Sequence, residues 1–206
     1  MKPIWTLSSP LVLASSSRVR RVLLERFSIP LEIVKHKVDE RDADQGVPFK
    51  DSPQKMAVFL AKQKAWSIHK DREHKWILGS DQILEFQNEI FHKISSRDEL
   101  FNRLALFSEK HHTLHSAAVL IGPNAREIIF SQSASIFVKR LSPYEIEKYI
   151  EKNISTHVLD SVGGYHFEDE GVFLFKKIIG SYSSILGIPI YQIIDYFYSN
   201  GIMQLD

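Results

Sequence analysis

The sequence predicts an α/β fold: a single domain with a mixed, partly antiparallel twisted sheet flanked by helices. Three observations predict it. Short apolar runs of strand type alternate with segments of helical spacing along most of the chain. Two long strand-like runs, HTLHSAAVLIG and EIIFSQSASIFVK, meet across Pro123-Asn124, a hairpin and therefore an antiparallel pair. The 206 residues contain no repeat, low-complexity tract or linker, so one domain over residues 1–206 is expected.

Taken in order, Leu11–Ala14 is a short buried-strand run, and Arg18–Phe27 places Val19, Val22, Leu23 and Phe27 at helical spacing. Leu31–Lys35 is a second strand. Ser52-Pro53 supplies an N-cap and a first-turn proline for a helix to about His69, with Met56, Leu60 and Lys64 on related turns. WILGSDQILEF is a strand interrupted or bent at Gly79, and Asn88-Glu89 turns it into a short return strand through Ile90 and Phe91. Ser96 caps a helix carrying Leu100, Leu104 and Phe107, and the hairpin follows. Ser142, Pro143 and Glu145 form a capping-box start for the next helix. GVFLF is a strand, and IPIYQIIDYFYSNG a final helix stopped by Gly201.

Composition narrows the function. Hydrophobic residues at 44% and charged residues at 25% are the balance of an ordinary globular protein. A net charge of +1, with Lys and Arg dispersed, argues against a nucleic-acid binder. The absence of cysteine excludes disulfides and thiolate metal sites and suits a reducing compartment. No apolar run approaches the roughly 18 residues that span a bilayer, and MKPIWTLSSP lacks the apolar stretch of a signal peptide. A cytoplasmic protein without a membrane partner is expected.

The stretch LVLASSSRVRR carries the first chemistry. A strand turning sharply into a helix exposes unpaired backbone N–H groups and the positive end of the helix dipole, a natural anion site. Ser15, Ser16 and Ser17 add hydroxyls, and Arg18, Arg20 and Arg21 add guanidinium forks suited to phosphate oxygens. The competing account is a serine N-cap followed by solvated arginines. A second constellation is GSDQ, which puts Asp81 inside a strand rich in Ile and Leu, where a carboxylate needs a partner or a metal. Asp39, Glu40 and Asp42 stand just beyond the second strand; each alone is an ordinary solvated acid. Beside a phosphate cradle they suit Mg²⁺ held by one or two carboxylates and substrate phosphates. Lys64 and Lys93 are each compatible with plain snorkelling. As a set, these cations and acids form a plausible site for phosphoanhydride cleavage.

These pieces resemble the Maf family, septum-formation-inhibitor-like nucleotide pyrophosphatases, over nearly the whole chain. LASSSRVRRVLL resembles the family's Leu-Ala-Ser-x-Ser-Pro-(Arg/Trp)-Arg-Arg opening, and VDE follows the second strand. LAKQKA resembles Leu-Ala-x-x-Lys-Ala, GSDQ resembles Gly-(Ala/Ser)-Asp-(Thr/Gln), and HK stands where the family has Gly-Lys-Pro. SVGGYHFEDEG and GSYSSILGIPI resemble its carboxy-terminal blocks. The departures are Arg18 for proline, Val19 for arginine or tryptophan, His92 for glycine and Ile94 for proline.

The resemblance implies a Maf / inosine-triphosphatase-like fold and hydrolysis of a nucleoside triphosphate to monophosphate and pyrophosphate with Mg²⁺ or Mn²⁺. By position it implies that Ser15, Ser17 and Arg20 bind phosphates and that Glu40 and Asp81 serve metal and water activation, Asp81 as general base. Lys64 and Lys93 would neutralise the triphosphate. Val19, Gln82 and Glu168 fall at positions tied to base choice. Asp-Gln with a later glutamate accompanies 7-methyl-GTP in the family, whereas Asp-Thr with a later glutamine accompanies dTTP and UTP. A homodimer is also implied. The alternative is a non-catalytic nucleotide-binding regulator of septum formation.

Other candidates carry less. His112 and His115, three apart in a strand, face opposite sides of a sheet and lack a completing ligand set for zinc. The aromatics of YQIIDYFYSNG are spaced as a helix core. Gly163-Gly164 lacks the context of a dinucleotide fingerprint.

Overall fold

The computed structural model describes residues 3–38 and 52–206. Asp39, Glu40 and Asp42 lie outside the described residues. The strands are β1 (Pro3–Trp5), β2 (Leu11–Ala14), β3 (Leu31–Ile33), β4 (Ile77–Phe86), β5 (Glu89–Phe91), β6 (His111–Ile121), β7 (Glu127–Val138), β8 (Phe175–Ile179) and β9 (Met203–Leu205). The helices are α1 (Arg18–Arg26), α2 (Pro53–Trp66), α3 (Arg97–Phe107), α4 (Pro143–Asn153), α5 (Tyr182–Ile185) and α6 (Ile190–Ser199).

Among the described residues the main sheet runs β3-β2-β4-β6-β7-β8, with β5 paired to β4. It is mixed: β2 is parallel to both β3 and β4, whereas β5 on β4 and β8 on β7 are antiparallel. β1 and β9 form a separate antiparallel ribbon. The expected α/β class with a mixed sheet is what forms.

The chain divides into two compact units. The first holds residues 1–82, 116–132 and 182–206, and the second holds 83–115 and 133–181. Strands β4, β6 and β7 each contribute one half to either unit.

In the first unit, β2 is fully buried, as its unbroken apolar run requires of a central parallel strand. Its leucines pack with Leu23 and Leu24 of α1, Leu78 of β4, and Ile190, Ile193 and Phe197 of α6. Tyr191 and Tyr198 of the same helix are exposed, so the aromatic tail divides into a core stripe and a solvent face. In the second unit the core is aromatic. Phe86, Phe91 and Phe107 form a ring-contact triangle, and His112 stacks on Phe107 at 4.5 Å.

Local chemistry accounts for the ends. Ser17, Ser96 and Ser142 cap α1, α3 and α4 with their hydroxyls, and Glu145 completes the capping box. Ser52 precedes α2 without a side-chain cap bond. Gln87 and Asn88, both left-handed (φ 54° and 66°), make the two-residue turn from β4 to β5.

Three expectations are corrected. β4 is one uninterrupted strand through Gly79. GVFLF is not a strand: Glu170–Leu174 is a 3₁₀ turn, and the strand begins at Phe175. Here a run of apolar residues carried no alternation that separates a strand from a tight turn. Leu31–Lys35 shortens to Leu31–Ile33.

Candidate active site

Gly79 explains how the site in the first unit is built. A Cβ there would stand 2.2 Å from the Ala61 carbonyl oxygen and 2.9 Å from the Ala65 Cβ. Helix α2 therefore lies directly on β4, on a face of Ala57, Ala61 and Ala65, all fully buried. That approach carries Lys64 to the strand residue two beyond Gly79. Lys64 Nζ donates to Asp81 Oδ1 at 2.6 Å, and the two side chains are only 5% and 11% exposed. The carboxylate within an apolar strand has its partner, and it is the lysine of LAKQKA.

The serine–arginine turn is next to this pair along the sheet, since Ala14 of β2 is in register with Gly79 of β4. Ser15 is buried, and its Oγ accepts from the Ser17 N–H at 3.2 Å and from Arg20 Nη1 at 3.4 Å. Ser17 Oγ accepts from the Arg20 N–H at 3.4 Å. Both serines thus tie down the first turn of α1, as a cap does. Arg20 reaches further: Nη1 donates to the Ser80 carbonyl at 2.7 Å and Nε to the Gly187 carbonyl at 2.9 Å. Ser80 Oγ donates to that same Gly187 oxygen at 2.9 Å and to the Ala117 carbonyl at 2.8 Å. Arg18 and Ser16 are exposed, Val19 is half-buried, and Arg21 pairs with Glu25 on the surface.

Gln82 is engaged as well. Its Nε2 donates to Ser116 Oγ at 3.1 Å and to the carbonyls of Ser184 and Ile185 at 2.8 and 3.1 Å. It holds α5 against β4 and β6, a role the sequence did not suggest for a residue expected beside the base. Ser80, Ser116, Ser184 and the Gly187 carbonyl were also missed. For Ser184 and Gly187 the signal was present in GSYSSILGIP: small hydroxyl residues leading to a glycine, which takes φ +88° beside the Arg20 guanidinium.

Lys93 and Glu168 belong to the second unit. Lys93 is exposed, just past β5, and Glu168 is exposed in the segment before the Glu170–Leu174 turn. The histidines do not converge. His112 Nε2 lies 2.6 Å from the Tyr165 hydroxyl, and burial holds its pKa down to about 3, so the ring stays neutral. His115 bridges Glu85 and Ser133, each at 2.8 Å. Among the described residues no group of three or more His, Cys, Asp or Glu could hold a metal ion, and no helix is long and apolar enough to cross a membrane.

The geometry places Ser15, Ser17, Arg20, Lys64 and Asp81 in one unit. The family model described as Maf-like protein matches residues 10–199. The chain belongs to the Maf family. Among curated Maf relatives, a 7-methyl-GTP pyrophosphatase of Bartonella henselae is 36% identical over 89% of this chain and 92% of its own length. A nucleoside triphosphate pyrophosphatase of Rhodopseudomonas palustris is 34% identical over 94% of this chain and 95% of its own. Among solved structures, a dITP/XTP pyrophosphatase from Mycobacterium abscessus matches with a TM-score of 0.40 at 14% identity, over 72% of this chain and 96% of that one.

Proposed function

We propose that this Maf-family chain hydrolyses a nucleoside triphosphate to the monophosphate and pyrophosphate, acting as one functional domain. The observation that carries the proposal is the buried Lys64–Asp81 pair, one strand away from the Ser15–Arg20 turn. Water attack on an α-phosphorus needs a carboxylate to orient and deprotonate the water and cations to receive charge on the pyrophosphate. Asp81 is the carboxylate. The Lys64 ammonium has three donors and can serve a phosphate oxygen as well as Asp81. Lys93 supplies the second cation. The relatives' names agree with this chemistry.

A divalent cation fits on the chemistry of the donors, since Mg²⁺ keeps several waters and takes one or two carboxylates plus substrate phosphates. Asp81 and Glu40, the latter outside the described residues, would hold it together with the nucleotide. Bound there, it would supply charge neutralisation on the phosphates.

For the base, 7-methyl-GTP is favoured over dTTP and UTP. Glu168 is a carboxylate at the specificity position, able to accept both N1–H and the exocyclic amine of guanine, and it favours the positive charge of a 7-methylated ring. A uracil or thymine edge, one donor between two acceptors, suits an amide better. The test is pyrophosphate release from 7-methyl-GTP, GTP, dTTP and UTP with Mg²⁺ or Mn²⁺. The expected result is the highest kcat/KM for 7-methyl-GTP, with that margin reduced by Glu168→Gln. A pyrimidine preference that Glu168→Gln leaves unchanged would sink the base assignment alone. Nucleotide binding without any turnover would instead favour the regulatory alternative.

Arg20 gives a second test. Arg20→Ala is expected to weaken triphosphate binding by about 1.5–3 kcal/mol, the range for charge-assisted hydrogen bonds, and nucleoside binding far less. Part of the loss is indirect, because the guanidinium also fastens Ser15 and the backbone beside Asp81. Calorimetric titration with a triphosphate and its nucleoside checks this; equal losses would make Arg20 a purely internal brace.

A further inference from the structure

Helix α3 buries Leu100, Leu104 and Phe107, and on the same stripe it buries an arginine, Arg103, which is only 7% exposed. A guanidinium is placed there only if its donors are satisfied. Nη1 donates to the His92 carbonyl and to the Val162 carbonyl, the latter at 2.7 Å. Nη2 donates to Glu99 Oε1 at 2.8 Å, and the guanidinium carbon stands 5.0 Å from the centroid of the Phe91 ring. The other oxygen of Glu99 accepts from the Ser95 N–H at 2.8 Å and the Ser95 hydroxyl at 2.7 Å.

These contacts enclose one short segment. His92 is gripped directly, Ser95 is gripped through Glu99, and Ile94 is buried between them. Lys93 is the remaining residue, exposed between neighbours that are fixed on both sides. The same guanidinium holds Val162, two residues before Gly164. A Cβ on Gly164 would lie 2.7 Å from Ile94 Cδ1 and 2.4 Å from Leu100 Cδ1, so that loop also rests on the fixed segment. The loop continues to Glu168.

We propose that Arg103 is a positioning residue that sets the place of Lys93 for the triphosphate, using the Val162 carbonyl as its second point of attachment. This rests on the pyrophosphatase proposal only for what Lys93 meets, not for the bracket itself. A lysine on an unsupported loop would have to be ordered each time it met a phosphate; a bracketed one is ordered in advance.

The test combines hydrogen exchange with kinetics on the full chain. Arg103→Met keeps the length of the side chain and removes every donor. It is expected to raise amide exchange across residues 92–95 and 162–166 by about 10-fold or more while the centre of β6 stays protected. It should lower kcat/KM for a triphosphate by about 10- to 100-fold, the scale of a misplaced catalytic group. In a Lys93→Ala background the same substitution should change kcat/KM by less than about 2-fold, since two residues acting through one another are not additive. Arg103→Lys, which keeps the charge and some donors, should recover part of the loss. Glu99→Gln weakens the Arg103–Glu99–Ser95 branch from a partly exposed position and leaves the two carbonyl contacts of Arg103 in place; it should raise exchange at 93–95 even if Arg103→Met proves too unstable to handle.

Unchanged exchange at 92–95 in these variants overturns the proposal. So does an activity loss of the same size with and without Lys93, which is the signature of a general structural role. Absence of turnover in the wild type would overturn the pyrophosphatase proposal instead. Exchange and triphosphate affinity, measured without turnover, would then decide the role of Arg103 by the same criteria.

Discussion

Asp81→Asn is expected to retain nucleotide binding and to lose at least about 100-fold in turnover, the usual scale for removing a general base. The substitution keeps the shape of the side chain and an oxygen that can accept from Lys64, but it leaves the buried ammonium without its counter-charge, which is why turnover is compared per folded protein. What it removes is the ability to take a proton from water. The loss should fall mainly in kcat, because an amide cannot act as the base; a higher cation requirement is expected beside it, since an amide holds a divalent cation less well than a carboxylate. Pyrophosphate release in single turnover, normalised to folded protein, with triphosphate affinity measured separately, checks it. Near-normal turnover would remove Asp81 from the chemistry and leave it as half of a structural ion pair.

Asp81 was legible in the sequence because a carboxylate inside ILGSDQILEF has no cheap structural explanation. Lys64 was legible as a lysine on an apolar helical face, and by resemblance as a cation for the triphosphate; that it is the partner of Asp81 required Gly79, whose missing side chain lets α2 close on β4. The serine turn carried two accounts, cap and phosphate cradle, and the structure makes the cap bonds explicit: Ser17 serves Arg20, and Ser15 serves Ser17. Those bonds are the local reason for the hydroxyls of Ser15 and Ser17, and they leave the phosphate role to experiment. Helices with caps were found to within a residue or a few, since α1, α3 and α4 each announce their starts with serine. The ribbon of β1 and β9 was not seen, because three-residue strands from opposite ends of the chain pair by contacts that no local pattern encodes. Arg103 was overlooked although its position, between Leu100, Leu104 and Phe107 on one helical stripe, marked it as a charge facing the core.

Breaking the buried pair from one side should be costly to the first unit. Lys64→Met is expected to destabilise the protein by about 3–5 kcal/mol, the cost of leaving one member of a buried ion pair without its partner. Loss of the aliphatic stem is small in this substitution, since methionine fills nearly the same space. The charge left behind on Asp81, 8% exposed on β4, is the source of the penalty. Adding Asp81→Leu to Lys64→Met should therefore recover most of the stability, because two apolar groups in place of a buried pair are often neutral or stabilising. The cycle of wild type, two single variants and the double variant, followed by denaturant unfolding, isolates the coupling as a strong departure from additivity. The double variant should be stable and catalytically dead. That combination separates the two roles of the pair: its charges are retained for the reaction at Asp81, while the packing of α2 on β4 through Gly79 holds the fold. Additive losses in the double variant would mean that Lys64 and Asp81 stabilise the unit through other neighbours, and that their 2.6 Å contact is incidental to both stability and turnover.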